Sequence, residues 1–300
     1  MAFVPAYLKL TEGELKEKVK QAFELQEKCM LCPRECGAER GKGQKGACRA
    51  LNTAKIASYG PHFGEERPLV GTHGSGTIFF SYCNLECIFC QNCDISWAGY
   101  GQEVSTQELA EIMLKLQKRG CHNINLVTPT HYVPQILEAL FTARKRGLSL
   151  PLVYNCGGYE SVETLKILDG VIDIYMPDVK YDDPEIAQRL SGVKDYPQRV
   201  KEALKEMHRQ VGDLQVDEEG IAKRGLIIRH LVLPEDFAGT EKIMRFIAEE
   251  LSPQSFVNIM RQYHPVHKAW DYPPLNRSVT RHEYERALEV AEKVGITPRS

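Results

Sequence analysis

The chain has 300 residues, 43% hydrophobic and 26% charged, which provides enough apolar content for a sizeable core and argues against disorder. Its 38 basic and 40 acidic residues give a net charge of −2, so no global field favours binding to nucleic acid or an anionic membrane. No apolar stretch reaches the roughly 18 residues that a membrane-spanning helix needs, and the first residues lack the pattern of a signal peptide. We therefore expect a cytoplasmic protein.

The ten cysteines are concentrated in the first third of the chain, eight of them between Cys29 and Cys93. In a reducing compartment such tight spacing favours metal ligation over disulfides. The stretch from Cys29 to Cys48 follows a predicted helix at 11–28, is rich in turn-forming residues and has almost no apolar periodicity. It predicts a small metal-organised knuckle in an N-terminal segment, residues 1–60, which precedes the main domain, residues 61–300.

Strand and helix patterns alternate from Gly76 onward. Six apolar runs predict strands at 77–81, 124–128, 151–155, 171–176, 226–233 and 256–260. Helical patterns lie between them, and one begins at the capping-box pair Ser105 and Glu108. Six β-α units in series predict an α/β fold with a parallel sheet, and their number fits a partial (β/α)6 barrel better than a closed eightfold one. A flat doubly wound sheet is the alternative.

The strongest functional signal is Cys-x3-Cys-x2-Cys, formed by Cys83, Cys87 and Cys90 directly after the first of these strands. Three thiolates on one tight loop can hold three irons of a [4Fe–4S] cube and leave the fourth iron without a protein ligand. An open coordination position is what a catalytic metal needs and a structural metal avoids. The alternative is a zinc knuckle with Cys93 as its fourth ligand.

The residues around this motif, Cys83–Asn92 followed by Ile95 and Ser96, resemble the cluster loop of the radical S-adenosylmethionine (SAM) superfamily. With the upstream Cys-x2-Cys-Pro-Arg-x-Cys element, the chain is similar to uncharacterised homologues of the pyruvate formate-lyase activating enzyme. The resemblance runs from Cys29 to about Tyr263 and implies a partial (β/α)6 barrel. It also implies an oxidoreductase, reduced by a flavodoxin or ferredoxin, that cleaves SAM to a 5′-deoxyadenosyl radical and abstracts hydrogen.

The resemblance further implies a SAM site at the carboxyl ends of the barrel strands. Its candidate residues are Phe89 near the adenine, Thr128 and Thr130 at the amino group, Asn155, Gly157 and Gly158 at the carboxylate and ribose, and Asp178 and Lys180 beyond them. Asp178 is the candidate ligand of a monovalent cation. Three histidines, His131, His230 and His264, are candidates for substrate contact or proton transfer, although each could equally be a satisfied core or rim residue.

The first four cysteines, Cys29, Cys32, Cys36 and Cys48, make one complete ligand set. Their spacing does not separate a structural zinc from an auxiliary iron–sulfur cluster, and we favour zinc or another structural single metal.

Three functions remain open at this point. The favoured one is activase-like hydrogen abstraction from a partner protein, and the second is the same radical chemistry on a small molecule or peptide. The third is a structural zinc or nucleic-acid-binding protein, for which the basic residues Arg40, Lys42, Lys45 and Arg49 are the only support.

Overall fold

The computed structural model describes residues 3–299, which form one sheet with helices around it. The strands are β1 Ala54–His62, β2 Ser75–Phe80, β3 Gln102–Val104, β4 Ile124–Val127, β5 Leu152–Cys156, β6 Ile174–Pro177, β7 Gln215–Val216, β8 Ala222–Leu231 and β9 Phe256–Met260. The helices are α1 Ala6–Lys9, α2 Glu12–Glu27, α3 Arg67–Val70, α4 Cys93–Ser96, α5 Thr106–Lys118, α6 Val133–Lys145, α7 Val162–Leu168, α8 Pro184–Ser191, α9 Tyr196–Val211, α10 Thr240–Glu250 and α11 Arg281–Lys293.

The six predicted strands are present and mutually parallel, in the order β2-β4-β5-β6-β8-β9. They follow the chain without the reversal that marks a doubly wound sheet, so the partial barrel is confirmed. The sheet is not closed. Beyond β2 it continues through β1 and β3, which pair antiparallel, and β7 pairs antiparallel with β8.

Side chains alternate along the strands, so that one set forms a cluster inside the sheet and the other set packs against the helices. Val153, Ile174 and Ile227 belong to a small cluster inside the curved sheet, whereas Leu126, Tyr154 and Tyr175 join the larger core beneath the helices. The cluster fills the amino-terminal part of the barrel. The carboxyl ends of the strands are therefore left to form a site.

The N-terminal segment packs on this barrel. Helix α2 begins at a capping box, in which the Thr11 hydroxyl accepts from the backbone N–H of Glu14 and the Glu14 carboxylate accepts from that of Thr11. The helix lies against α6 and α7. Strand β1 contains the position at which the domain boundary was predicted, and it pairs along β2. In residues 3–299, no helix is long and apolar enough to cross a bilayer.

Candidate active site

The loop after β2 brings the sulfurs of Cys83, Cys87 and Cys90 into one buried environment. Tyr82 and Glu86 adopt positive φ of 72° and 49°, which lets the chain turn tightly around the thiols. Burial, and after it the neighbouring Cys87, raises the pKa of Cys83 to about 12. Three thiolates are therefore stable here only with a cationic partner, which is what iron supplies, so the donor set fits a cluster.

Two hydroxyl groups contact these sulfurs. Ser191 Oγ lies 3.1 Å from Cys87 Sγ, and Ser96 Oγ lies 3.1 Å from Cys90 Sγ. The backbone N–H of Leu85 points at Cys83 Sγ over 3.4 Å. Each of the three sulfurs thus has a donor, and donors to sulfur stabilise negative charge on a thiolate.

The three cysteines line a cavity of about 150 Å³. Five predicted SAM contacts line it as well, namely Thr128, Asn155, Gly157, Asp178 and Lys180. Phe89 lines an adjoining cavity of about 240 Å³, which shares Cys87, Cys90, Asp178 and Lys180 with the first. We call the two cavities the cluster chamber and the outer chamber of one cleft.

Two predicted contacts lie behind the chamber walls. Thr130 is buried and donates its hydroxyl to Glu160 over 2.7 Å. Gly158 has φ +77°, and a Cβ there would collide with the carbonyl oxygen of Asp178. Glycine at this position therefore lets the turn after β5 pack against the turn after β6.

Asp178 is the centre of a charge network at the junction of the two chambers. Its Oδ1 accepts from Arg229 Nε at 2.8 Å and its Oδ2 from Lys180 Nζ at 2.6 Å. Burial alone would raise the pKa of Asp178, but Arg229 and Lys180 hold it below its usual range. Both carboxylate oxygens therefore have cationic partners from the chain itself.

Arg229 lines both chambers, although the sequence did not assign it to the site. It lies two positions after the interior residue Ile227 on β8, so its side chain faces the cleft, where Nη2 donates to Asn155 Oδ1 at 2.7 Å. The signal was present in the sequence, because an arginine within an apolar strand needs a buried partner.

The histidines are not brought together at the cleft. His230 points toward the helices, where its ring nitrogens meet Val179 O at 2.9 Å and Thr240 Oγ1 at 3.0 Å. His131 is fully buried, and burial lowers its pKa to about 3. It is therefore neutral, and its Nε2 lies 2.8 Å from Ser81 O. His264 is exposed beside Gln91, a residue of the outer chamber.

The four N-terminal thiols also form a group. The pKa of Cys32 is raised by burial first and then by the neighbouring Cys48 and Cys29. A Cβ at Gly46 would collide with the sulfur of Cys36, so the glycine leaves room for that thiol. Neither these thiols nor those of the cluster loop are arranged in coordination geometry, since within residues 3–299 no group of three or more His, Cys, Asp or Glu side chains is placed to hold a metal ion.

The knuckle holds the cluster loop through arginines. Arg34 donates to three carbonyl oxygens, those of Asn84 at 2.8 Å, Ser191 at 3.1 Å and Gly192 at 3.2 Å. Arg49 forms an ion pair with Glu86 and lies over the ring of Trp97. Arg40 also has partners within the protein, the sulfur of Cys48 and the carbonyl oxygen of His131. Arg40 and Arg49, two of the four basic residues that favoured nucleic-acid binding, therefore make contacts inside the fold.

Comparisons with known proteins agree with this geometry. The sequence model of the family described as "Radical SAM superfamily" matches residues 77–247. The "Uncharacterized protein MJ0674" of Methanocaldococcus jannaschii is 36% identical over 289 residues, which cover 93% of this chain and 78% of that protein. A solved structure of a radical SAM methyltransferase from Sphaerobacter thermophilus is similar with a TM-score of 0.52 and 14% identity, over 74% of this chain. The match spans 65% of that chain, less than two thirds of it, and at this identity the likeness concerns the fold alone.

Proposed function

The chain belongs to the radical SAM superfamily, and from this premise we propose that Cys83, Cys87 and Cys90 hold a [4Fe–4S] cluster at which SAM is reductively cleaved. When bound, the cluster supplies the electron and an open iron for SAM, and the 5′-deoxyadenosyl radical that results abstracts hydrogen from carbon. The observation that carries this proposal is that all three cysteines line one cavity with the ends of β4, β5 and β6. A flavodoxin or ferredoxin is the expected reductant.

The cluster chamber offers complementary groups for SAM. Lys180 and Arg229 line this chamber beside Asp178, and both can donate hydrogen bonds to a carboxylate. The Thr128 hydroxyl and the backbone carbonyls of its turn can accept from an ammonium group. A monovalent cation at Asp178 would have to share or displace the Lys180 ammonium, and this remains part of the proposal.

The outer chamber is the proposed substrate site. Its walls are partly apolar, from Phe89, Leu231, Leu233 and Met260, with the amides of Gln91 and Gln262 among them. Apolar walls exclude water, which a carbon radical requires, and hold a C–H bond close to the radical.

The segment after β9 supports this shielding. Tyr263 packs edge-on against Phe89 with ring centroids 5.9 Å apart, and the Lys268 backbone N–H donates to Ile88 O at 3.0 Å. The segment therefore lies against the cluster loop on the substrate side.

We take a protein segment as the favoured substrate, as for a glycyl-radical activase, because the open sheet leaves the outer chamber accessible from the side. A peptide or small molecule under the post-β9 segment is the alternative. Reduced enzyme and SAM should be incubated with deuterated peptides and metabolites, and deuterium should then be found in 5′-deoxyadenosine. Methyl transfer without deuterated 5′-deoxyadenosine would contradict hydrogen abstraction as the reaction type.

The four N-terminal cysteines are proposed to hold a second, structural metal, with zinc favoured over an auxiliary cluster. Triple substitution of Cys83, Cys87 and Cys90 by alanine isolates this site for metal analysis, and about one zinc per chain is expected from a closed four-thiolate set. Iron and sulfide in the ratio of a cube would contradict zinc, and absence of any metal would contradict both assignments.

A further inference from the structure

A crevice opens at the side of the barrel, between the loop after β1 and strand β9. Its lining includes Phe63, Glu65, Glu66, Arg229, Asn258 and Met260. It shares Arg229, Met260 and Gln262 with the outer chamber, so the two are continuous. A molecule in the outer chamber can therefore extend into this side crevice.

Glu66 is the feature of the side crevice that the structure leaves incomplete. The residue is 9% exposed, and its Oε1 accepts from Asn258 Nδ2 at 3.0 Å. Its Oε2 is buried and, within residues 3–299, has no hydrogen-bond partner. A buried carboxylate with one oxygen unpaired is unfavourable in its charged form, so native structures usually provide a cationic or donor partner.

The neighbouring charges do not provide that partner. Glu65 is paired with Arg229, whose Nη1 lies 3.4 Å from Glu65 Oε2. The Arg229 guanidinium also donates hydrogen bonds to Asp178 and Asn155. The Lys180 ammonium donates to Asp178. Arg67 also lines the crevice, but among the described residues neither Arg67 nor Arg229 lies within ion-pair distance of Glu66.

The rest of the side crevice suits an organic cation with an apolar stem. Phe63 is 62% exposed at its rim, and Met260 and Val70 add apolar surface. An aromatic face attracts an ammonium group, and thioether and alkyl side chains pack against methylene groups. An inorganic ion has less support, because the acidic, histidine and cysteine side chains that line the side crevice number only two, Glu65 and Glu66.

We infer that the side crevice binds the ammonium group of the substrate, with Glu66 as its counter-charge, while the substrate's reacting carbon lies in the outer chamber. The substrate class is therefore a primary amine on an alkyl stem, whether a lysine side chain of a peptide or a free amine. The inference rests on the proposed function for the role of the outer chamber. The binding of an amine in the side crevice is a separate property and can be measured without radical chemistry.

The test uses the full chain, reconstituted anaerobically and saturated with SAM but not reduced. Three probes with the same stem, n-hexylamine, 1-hexanol and hexanoate, are titrated by calorimetry at neutral pH. The amine is expected to bind about ten times more tightly than the alcohol, as for one charge-assisted contact, and hexanoate is expected to bind least. Glu66→Gln should remove this preference, and Glu289→Gln, on the exposed face of α11, should leave it unchanged.

A second variant guards against misfolding of Glu66→Gln. Phe63→Ala removes an exposed ring and should lower the affinity for the amine about threefold, because the cation–π contact is lost. Equal binding of amine and alcohol to the unsubstituted protein, no binding of either, or full amine affinity in folded Glu66→Gln would each overturn the inference. Displacement of the amine by Mg²⁺ alone would assign the side crevice to an inorganic ion instead.

SAM also carries an ammonium group, so its binding is measured in parallel. The SAM-induced change in the cluster spectrum should be the same in Glu66→Gln as in the unsubstituted protein. Loss of that change would place SAM, not substrate, in the side crevice and overturn the inference. If the proposed function is wrong, SAM should leave the cluster spectrum unchanged in both Glu66→Gln and the unsubstituted protein, whatever the amine titration gives.

Discussion

Ser191 Oγ lies 3.1 Å from the sulfur of Cys87, and the backbone carbonyl of the same serine accepts from Arg34 at 3.1 Å. One residue at the end of α8 therefore links the N-terminal knuckle to a thiol of the cluster loop. Tyr181 OH, 2.9 Å from Ser191 Oγ, completes the contacts of the hydroxyl. The knuckle is thus positioned to orient the cluster loop through hydrogen bonds to its backbone and to its serine partner.

Substitution Ser191→Ala should lower the reduction potential of the cluster. Loss of a donor to sulfur destabilises the more negative, reduced state, and a hydrogen bond worth about 1 kcal/mol corresponds to roughly 40 mV for one electron. Redox titration followed by EPR measures the shift. Ser149→Ala, at an exposed position, is the control, and equal potentials in the two variants would contradict the role assigned to Ser191.

Substitution Arg34→Ala should loosen the cluster loop without removing a metal ligand. Three carbonyl oxygens lose their donor, and the half-buried position of the guanidinium suggests a loss of about 2 kcal/mol in the free energy of unfolding. Urea unfolding and iron content per chain measure both effects. Arg34→Lys should rescue only part of the loss, because an ammonium group cannot reproduce the planar three-way contact. Full iron content and unchanged stability in the alanine variant would show that the knuckle does not hold the loop.

Local sequence signals predicted much of this fold. The capping boxes at Thr11 and Ser105 begin α2 and α5, as expected, because the caps and the apolar stripes behind them are local features. The antiparallel strand β1 was missed, since it contains Gly60 and Pro61 and lies half-exposed beside β2, so neither its apolar content nor its alternation marks it.

The site was predicted less completely, for a physical reason. The cysteine motif is contiguous and therefore visible, but Glu65, Asp178 and Arg229 come together from three separate parts of the chain. No local pattern records such a contact. The strand at 171–176 also begins later than predicted, at Ile174, because the Asp173 carboxylate accepts from the backbone N–H groups of Ala6 and Leu152.

Glu160 should make the stability of the protein decrease with rising pH. Burial raises its pKa to about 7, although Thr130 and Tyr154 donate to it and oppose the shift. A carboxyl whose folded pKa lies above its unfolded value of 4.5 favours folding below that value, and this contribution is lost as pH rises through about 7.

Glu160→Gln should remove that dependence, because the amide keeps the size of the side chain and does not ionise. Its stability relative to the unsubstituted protein should rise by up to about 3 kcal/mol between pH 4.5 and pH 8, measured by urea unfolding at each pH. Glu289→Gln is the matched control at an exposed position. Parallel stability curves for Glu160→Gln and the unsubstituted protein would mean that Glu160 titrates at an ordinary pKa.

Thr128 should show a conflict between stability and cofactor binding. Its φ of +57° is a left-handed conformation that β-branched residues rarely adopt, and it occurs where the turn after β4 enters the cluster chamber. Glycine accepts this conformation freely, so Thr128→Gly should relieve backbone strain of about 1 kcal/mol and raise the midpoint of thermal unfolding. If the hydroxyl and the fixed turn accept from the SAM ammonium group as proposed, the same substitution should lower the affinity for SAM several-fold. Titration of the cluster spectrum with SAM measures this affinity. Thr106→Gly, at the half-buried start of α5, separates the two effects, since Thr106 lacks the strained φ and lies outside the chamber. A Thr128→Gly protein that is less stable than the unsubstituted chain would show that the strain is offset by contacts of the threonine side chain, and unchanged SAM affinity would remove Thr128 from the cofactor site.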